Sequence, residues 1–201
     1  MQSRGAGLIE ESFLRQIKRC GWADTDPLLR RYHDKEWGVP IHNDRKLFEF
    51  LILEGAQAGL NWLVILKKRD AFRNAFDEFD PKKIAKYTGR DIRRLMGNKD
   101  IIRNRLKIVA TVANARALLA VQEEFGSFND YIWRFVDGDP IMHHFSSMSS
   151  IPSTSKESDQ MSEDLRKRGF KFVGSTICYA FMQATGMVND HVTTCFRYRR
   201  V

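Results

Sequence analysis

The sequence predicts an all-α protein, and three observations support that prediction. Apolar residues recur every three or four positions over 44–58, 61–76 and 101–120, which is the spacing of one helical face. A shorter stretch, 172–186, is almost wholly apolar, as is typical of a buried central helix. The alternation of apolar and polar residues that marks a half-buried strand is nearly absent.

The first two long helices are predicted from their apolar faces. The helix over 44–58 is expected to have Asp44 at its N-cap. The residues that share one face of this helix are Leu47, Leu51, Glu54 and Ala58. The next helix, over 61–76, has an apolar stripe that consists of Trp62, Ile65, Leu66, Phe72 and Phe76.

A helical hairpin is predicted in the middle of the chain. Residues 91–95 are expected to form a short helix and 96–98 a tight turn, and a long helix is expected to begin at Lys99. The apolar face of that long helix, taken over 101–120, is predicted to consist of Ile102, Leu106, Val109 and Ala113.

The last third of the chain differs in composition. The segment Gly138–Asp159 is rich in serine and polar residues, which predicts a long connection that either links two lobes or forms an ordered functional loop. The apolar stretch that follows contains Cys178, which is expected to be a core thiol. The predicted organisation is an N-terminal extension at 1–18 and a single domain at 19–201.

Composition narrows the class of protein. The 201 residues include 33 basic and 25 acidic side chains, a net charge of +8, and 43% are hydrophobic, which is typical of a globular chain. No apolar window of about 18 residues occurs, so no membrane span is expected. The N-terminus lacks the apolar block of a signal peptide. Three cysteines are too few for a disulfide scaffold, which favours a reducing, cytoplasmic compartment.

The positive charge is concentrated in one third of the chain. Residues 61–120 hold 15 basic and 6 acidic side chains, a net charge of +9, whereas residues 21–60 carry a net charge of −2. A basic block of this kind raises a nucleic acid as a partner, although net charge alone indicates it only weakly.

Two cysteines and two histidines form a candidate metal site. His191 and Cys195 are four positions apart, so both can face one ion on a helix, and Cys20 and His33 form a second pair thirteen positions apart. Two Cys and two His are a tetrahedral donor set that structural Zn²⁺ prefers. The alternative is that the cysteines are small buried hydrophobic residues and the histidines lie on the surface.

Glu54 and nearby aromatic residues form a candidate ligand pocket. A carboxylate on an apolar face is costly to bury, so it is either paired in the core or placed in a pocket. Two glycines and two alanines in 55–59 leave room for a ligand, and Trp62 can stack on a flat ring. Aromatic residues are more often core, and we expect that for Trp37 and Trp133.

The predicted hairpin is a candidate phosphate site. Gly97 and Asn98 lie in its turn, and a helix N-terminus after a glycine turn presents backbone N–H groups to anions. Arg103, Arg105 and Lys107 add positive charge nearby. The commoner alternative is a plain pair of helices with a solvated basic face, and only one of the two usual glycines is present.

Longer motifs extend over about 19–196, nearly the whole chain. They are Cys20-Gly21-Trp22, Asp26-Pro27-Leu28, Tyr32-His33-Asp34-Lys35-Glu36-Trp37-Gly38-Val39-Pro40, Leu53-Glu54-Gly55, Gln57-Ala58-Gly59-Leu60, Trp62, Lys167-Arg168-Gly169-Phe170-Lys171-Phe172-Val173-Gly174, Cys178-Tyr179 and Val188-Asn189-Asp190-His191-Val192. In these motifs the sequence resembles the Tag family of DNA-3-methyladenine glycosylases.

The resemblance implies a fold, a cofactor and partners. The fold would be the two-lobed helix-hairpin-helix DNA glycosylase fold, with a central hairpin lobe at about 44–135 and a second lobe from 19–43 plus 136–201. One structural Zn²⁺ per chain would clamp the N- and C-terminal segments together. The implied partner is double-stranded alkylated DNA, free 3-methyladenine is the product, and a monomer is expected. The implied metal ligands are Cys20, His33, His191 and Cys195.

The resemblance also implies roles at the pocket. Glu54 would be the catalytic carboxylate that recognises the base, and Leu60, beside Gly59, would fill the gap that an extruded nucleotide leaves in DNA. The pocket aromatics would be Tyr32, Trp62 and Trp22. Three departures from the family affect the pocket and the DNA-insertion point, namely Leu29 in place of a common tyrosine, Ala56 in place of a frequent glutamine, and Asn61 in place of a small hydroxyl residue.

The implied reaction is hydrolysis of the N-glycosidic bond of 3-methyladenine without a lyase step. No Asp occurs between Asp100 and Asp130, which agrees with the Tag branch, and no amine nucleophile is evident. One alternative is a non-catalytic lesion-binding module, which the intact set of Tyr32, Glu54 and Trp62 disfavours. Another is a zinc hydrolase, which is disfavoured because four protein ligands leave no open position on the ion.

Overall fold

The computed structural model describes residues 17–200, and nine α-helices account for most of this part of the chain. Four short 3₁₀-helices lie between them, at Ala23–Thr25, Asp77–Phe79, Arg134–Val136 and Met148–Ser150. The α-helices are α1 Pro27–Lys35, α2 Asp44–Gln57, α3 Trp62–Ala75, α4 Pro81–Ile84, α5 Gly89–Gly97, α6 Arg105–Phe125, α7 Phe128–Trp133, α8 Lys156–Lys167 and α9 Ser175–Ala184. The all-α prediction is confirmed at the level of a mostly helical chain.

The only strands in the described chain are two residues long. β1 (Ile141–Met142) and β2 (Val188–Asn189) pair in parallel and attach the serine-rich connection to the C-terminal segment. A two-residue strand is too short to show alternation, which explains why the sequence did not predict this pair. No helix in the described residues is long and apolar enough to cross a membrane.

The predicted N-cap of α2 is wrong by one residue. Asn43 is the N-cap, and its side-chain oxygen accepts a hydrogen bond from the backbone N–H of Lys46 at 3.1 Å. Asp44 instead accepts hydrogen bonds from the backbone N–H groups of Phe128 and Asn129, at 2.9 and 2.8 Å. Either residue type can cap a helix, and the contact with the start of α7 decides between them.

The predicted apolar face of the third long helix is also wrong. Leu106 is 72% exposed and Val109 is 42% exposed, while Ile102 lies outside α6. The buried face consists of Ile108, Val112, Ala115, Leu118 and Val121, and α6 packs on α2, α4 and α7. Both stripes have helical spacing, so the pattern alone could not choose between them.

The hairpin is more open than predicted. α5 continues to Gly97, and α6 begins at Arg105 rather than Lys99, because the Asn104 side chain caps its first turn. Residues 98–104 therefore form a connection of seven residues. Within it the Asn98 side chain accepts a hydrogen bond from the backbone N–H of Asp100 at 2.9 Å.

The C-terminal part follows the prediction with two changes. The connection ends early, because Ser155 and Ser158 cap each other's backbone and start α8 at Lys156. The central helix is confined to α9, where Cys178 is fully buried as expected and donates to the carbonyl of Val173. Trp37 and Trp133 are buried, also as expected. The predicted N-terminal extension lies almost wholly outside the described residues.

Candidate active site

A cavity of about 500 Å³ opens between α1, α2, α3, α9 and the serine-rich connection. Its size fits a flat heterocycle, and its wall is mostly aromatic and aliphatic with a few polar groups, as in ligand pockets generally. The residues that line it are Trp22, Thr25, Leu29, Tyr32, Trp37, Glu54, Gln57, Asn61, Trp62, Leu63, Met148, Ile151, Ala180 and Gln183. All the predicted pocket residues are among them.

Glu54 lies in this cavity, and no residue in the described part of the chain forms a hydrogen bond or an ion pair with its carboxyl. The side chain projects from the last turns of α2 and is only 5% exposed. Burial alone raises the pKa of its carboxyl to about 8, with no basic group of the described chain opposing the shift. Structural ion pairs in cores normally offset such a cost, so an unpaired buried carboxyl in a cavity indicates a ligand-binding role.

Tyr32 and Trp62 contribute two further polar groups to the wall of the cavity. Among the described residues, neither the Tyr32 hydroxyl nor the Trp62 indole N–H makes a hydrogen bond, although both are buried. Their ring centroids lie 5.4 Å apart, and Trp22 lies 6.3 Å from Tyr32. Buried polar groups are rarely left unpaired, so these two atoms are an unusual feature of the cavity wall.

The Tyr32 hydroxyl is also held in its protonated form. Burial, followed by the nearby Glu54 carboxylate, raises the pKa of this phenol well above its ordinary value. At neutral pH the group is therefore a hydrogen-bond donor as well as an acceptor.

The three departures from the family pattern lie at or near this cavity. Leu29 lines it and is almost fully buried, so one wall is aliphatic there. Asn61 is the N-cap of α3 and accepts a hydrogen bond from the backbone N–H of Val64 at 3.0 Å. Ala56 is buried within α2.

Sequence reasoning missed one wall of the cavity. Met148 and Ile151, from the serine-rich connection, close it on one side, and Gln183 of α9 lines it as well. Of the two alternatives for this connection, a link between lobes or an ordered functional loop, these contacts favour the ordered loop. The available signal was the pair of apolar residues in a stretch otherwise made of serine, threonine and proline.

The turn between α2 and α3 lies beside the cavity and presents an apolar side chain to solvent. We call residues 58–61 the insertion turn. Gly59 has a φ of +78°, a conformation that favours glycine, and Leu60 is 41% exposed. Gln57, three positions before Leu60, and Asn61, directly after it, both line the cavity.

The hairpin presents unpaired positive charge. Arg103 and Arg105 are exposed, and no carboxylate of the described chain lies within ion-pair distance of either. The Lys68 ammonium donates to the carbonyl of Asp100 at 3.0 Å, which fixes the connection to α3. Lys107, which the sequence placed with this charge cluster, instead donates to two carbonyls at the end of α2.

The four predicted metal ligands come together in the core. The donor atoms of Cys20, His33, His191 and Cys195 lie within 4.8 Å of one another, and all four residues are buried. The Cys195 sulfur is 3.4 Å from His33 Nε2 and 3.6 Å from His191 Nδ1, and the Cys20 sulfur is 3.6 Å from His191 Nδ1.

These distances fit one tetrahedral ion. Bond lengths of about 2.3 Å to sulfur and 2.0–2.1 Å to nitrogen give sulfur–nitrogen edges of about 3.5 Å around zinc. Two buried thiols beside two imidazoles are also a soft donor set with no other evident role. The cluster can therefore hold a metal ion.

The outer contacts of the histidines orient them for this task. His33 Nδ1 lies 2.8 Å from an Asp34 carboxylate oxygen, and that carboxylate also accepts two hydrogen bonds from Arg19 Nε and one from its Nη2. His191 Nε2 faces the carbonyl of Trp37 at 3.3 Å. Such contacts fix the ring and leave the other nitrogen free for a metal.

The chain is similar to known proteins over most of its length. The family model described as methyladenine glycosylase matches residues 22–198. DNA-3-methyladenine glycosylase 1 of Escherichia coli (strain K12) is 50% identical over 182 residues, 90% of this chain and 97% of that protein. DNA-3-methyladenine glycosylase of Haemophilus influenzae (strain ATCC 51907 / DSM 11121 / KW20 / Rd) is 48% identical over 177 residues, 88% of this chain and 96% of that protein.

Solved structures agree with these relatives. A crystal structure of 3-methyladenine DNA glycosylase I superposes with a TM-score of 0.87 at 52% identity, covering 89% of this chain and 98% of that one. A structure of 3-methyladenine DNA glycosylase I from Staphylococcus aureus, which concerns the structural basis of 3-methyladenine recognition, was also matched. It superposes with a TM-score of 0.86 at 36% identity, covering 89% of this chain and 95% of that one.

Proposed function

The chain belongs to the methyladenine glycosylase family, and on that premise we propose that it is a DNA repair glycosylase that excises 3-methyladenine from alkylated DNA. It is a hydrolase of the N-glycosidic bond. The observation that supports this most strongly is the buried, unpaired carboxyl of Glu54 beside the unpaired polar groups of Tyr32 and Trp62.

Glu54 recognises the charge of the damaged base. A 3-methyladenine nucleotide in DNA is a cation, whereas an intact adenine nucleotide is neutral. An ionised Glu54 accepts hydrogen bonds from the base edge and balances that charge, and a buried charge-assisted contact is stronger than a neutral one. With a neutral base the Glu54 carboxyl stays protonated at neutral pH and the charge-assisted contact is not made, so the pocket discriminates against that base.

The bond that breaks joins the base to C1′ of the deoxyribose. Its electron pair goes to the cationic base, which leaves as neutral 3-methyladenine, and the positive charge passes to the sugar. Water then adds to C1′ and loses a proton, which leaves an abasic site. Because the base is already a good leaving group, the enzyme has no need to protonate it, and Glu54 acts by binding and orientation.

The aromatic residues hold the base after it leaves the duplex. Extrusion costs a few kcal/mol, least for damaged bases. Trp62 stacks on the cationic ring, partly through a cation–π contact, while Tyr32 and Trp22 enclose it. Leu60 on the insertion turn fills the gap left in the base stack, and Gly59 permits the turn that presents it.

The enzyme is proposed to be monofunctional. A lyase step needs an amine that attacks C1′, and none of the described residues that line the cavity is a lysine. The reaction therefore stops at the abasic site. The proposed substrate is double-stranded alkylated DNA, and free 3-methyladenine is the product.

The fold and the metal site complete the proposal. We assign a helix-hairpin-helix arrangement in two lobes, at about 44–135 and at 19–43 plus 136–201. The cluster of two cysteines and two histidines would hold one Zn²⁺ per chain as a structural cross-link between the two ends of the described chain. Four protein ligands leave no open position, so the ion takes no part in the reaction. We propose a cytoplasmic monomer.

The hairpin is proposed to bind the DNA backbone. Gly97 ends α5 and Asn98 begins the connection to α6. Two exposed cations follow, Arg103 in the connection and Arg105 at the start of α6, and neither has an ion-pair partner in the described chain. The double charge reversal Arg103→Glu with Arg105→Glu is expected to weaken duplex binding at least tenfold and to make the slope of log K against log salt concentration shallower by about two. The measurement is anisotropy of a labelled duplex across a salt series, and unchanged affinity would exclude the hairpin as the phosphate site.

The function itself is tested by base release from methylated duplex DNA, with products separated by chromatography. The expected product is 3-methyladenine, with the sugar–phosphate backbone left intact. Binding to lesion DNA without any release would instead support a non-catalytic lesion-binding module.

A further inference from the structure

Two carbonyl groups at the C-terminal end of α2 depend on one lysine. The last carbonyls of any helix lack intrahelical partners. Here the carbonyl of Gly55 accepts from the backbone N–H of Ala58 at 3.4 Å, and that of Gln57 accepts from Leu60 at 2.6 Å. The carbonyls of Ala56 and Ala58 accept instead from the Lys107 ammonium, at 2.8 and 2.6 Å.

Lys107 reaches these carbonyls from a different element. It lies in the first turn of α6, two positions after Arg105 and four after Arg103, and it is about fifty positions from its partners in sequence. A cation at a helix C-terminus is also favoured by the helix dipole. The lysine therefore fixes where α2 ends and where the insertion turn begins.

The side chain that this contact places is Leu60. Ala58, which accepts the shorter of the two hydrogen bonds, is two residues before it, and Gly59 between them is in a conformation that other residues rarely adopt. Leu60 itself is exposed and has no apolar contact strong enough to bury it. Its position relative to the hairpin thus depends on the backbone that Lys107 holds.

We propose that Lys107 is a positioning residue for the excision of bases from duplex DNA. It fixes the insertion turn to the hairpin, so that Leu60 stands in register with the base stack when the hairpin binds the phosphates. The proposal rests on the proposed function, and it assigns Lys107 to the placement of Leu60 rather than to phosphate binding or to the pocket.

The test compares Lys107→Met with wild type on duplex excision and on binding of free 3-methyladenine. Single-turnover release of 3-methyladenine from a duplex is expected to fall at least tenfold. Calorimetric binding of the free base is expected to stay within about twofold, because no pocket residue is altered. The salt dependence of duplex binding is expected to keep its slope, because no phosphate contact is lost.

Three further variants make the result specific. Lys107→Arg, which retains a donor, is expected to restore part of the duplex rate, and Lys82→Met, which removes an exposed lysine of α4, is expected to match wild type. In a Leu60→Ala background, Lys107→Met is expected to cause little further loss of the duplex excision rate, because Lys107 acts through the position of the Leu60 side chain.

Other outcomes would overturn the proposal. Equal losses in free-base binding and duplex excision would make Lys107 a general structural residue. A shallower salt slope would make it a phosphate contact, and additive losses with Leu60→Ala would separate it from the insertion turn. Absence of base release by wild type would reject the proposed function itself, which is a different result from any of these.

Discussion

Glu54→Gln is expected to fold and to lose about a hundredfold or more of the single-turnover rate of 3-methyladenine release. Glutamine keeps the size and the polar oxygen but cannot carry the charge that balances the cationic base. A hundredfold corresponds to about 2.7 kcal/mol, the scale of one buried charge-assisted contact. The measurement is base release from a duplex with a single lesion under enzyme excess.

The pH dependence of the same variant provides a control. Burial raises the pKa of Glu54 to about 8, so in the free enzyme the carboxyl is largely protonated below that pH. For wild type, kcat/KM is expected to rise with pH and to level off above about 8, because kcat/KM reports the groups of the free enzyme. Glu54→Gln should lack this rise. A flat wild-type profile would contradict the assigned role.

The stability of Glu54→Gln is expected not to fall, in contrast to its activity. A carboxyl whose pKa is raised on folding contributes stability below its ordinary pKa of 4.5 that is lost as pH rises to about 8. Glu54→Gln is therefore expected to be at least as stable as wild type at neutral pH. Retained stability with lost activity would separate the chemical role of Glu54 from a structural one.

Loss of the proposed Zn²⁺ is expected to have the second large effect. Elemental analysis should give about one zinc per chain, and Cys195→Ala should lose the ion and unfold at a much lower temperature. The reason is that the ligands come from both ends of the described chain, so the binding free energy of the ion is folding free energy. The measurement is thermal unfolding with metal analysis of the same samples.

Cys178 offers a matched control for this experiment. It is a fully buried thiol in α9 that belongs to the core and not to the cluster. Cys178→Ala should lose packing and some stability but keep the full zinc content. If Cys195→Ala and Cys178→Ala behave alike, or if metal-free wild type is fully stable, the metal does not clamp the chain.

Part of the candidate site could be predicted because its residue types are unusual at their positions in the sequence. Glu54 stood out as a carboxylate on an apolar helix face, and in the structure it lines a cavity together with Tyr32 and Trp62. The metal cluster needed the resemblance as well, because Cys20 and His191 are far apart in sequence and only the fold brings them to 3.6 Å.

The structure differs from the prediction where a local sequence pattern is compatible with two arrangements. Leu106 and Val109 have the spacing of a buried face, and so do Ile108 and Val112, and only the packing of α6 decides between them. The sequence marked Lys107 as positive charge but could not show that its ammonium binds the end of α2. Long-range contacts of this kind leave no periodic signal.

The central claim is that this cavity selects a positively charged, methylated base through Glu54. Calorimetric titration of wild type and Glu54→Gln with the 3,9-dimethyladeninium cation, in which a methyl group replaces the sugar, and with neutral 9-methyladenine tests it most directly. We expect wild type to bind one 3,9-dimethyladeninium per chain and to bind 9-methyladenine far more weakly, and we expect Glu54→Gln to lose most of this preference. Equal binding of both bases by wild type, or a preference unchanged in Glu54→Gln, would contradict the account.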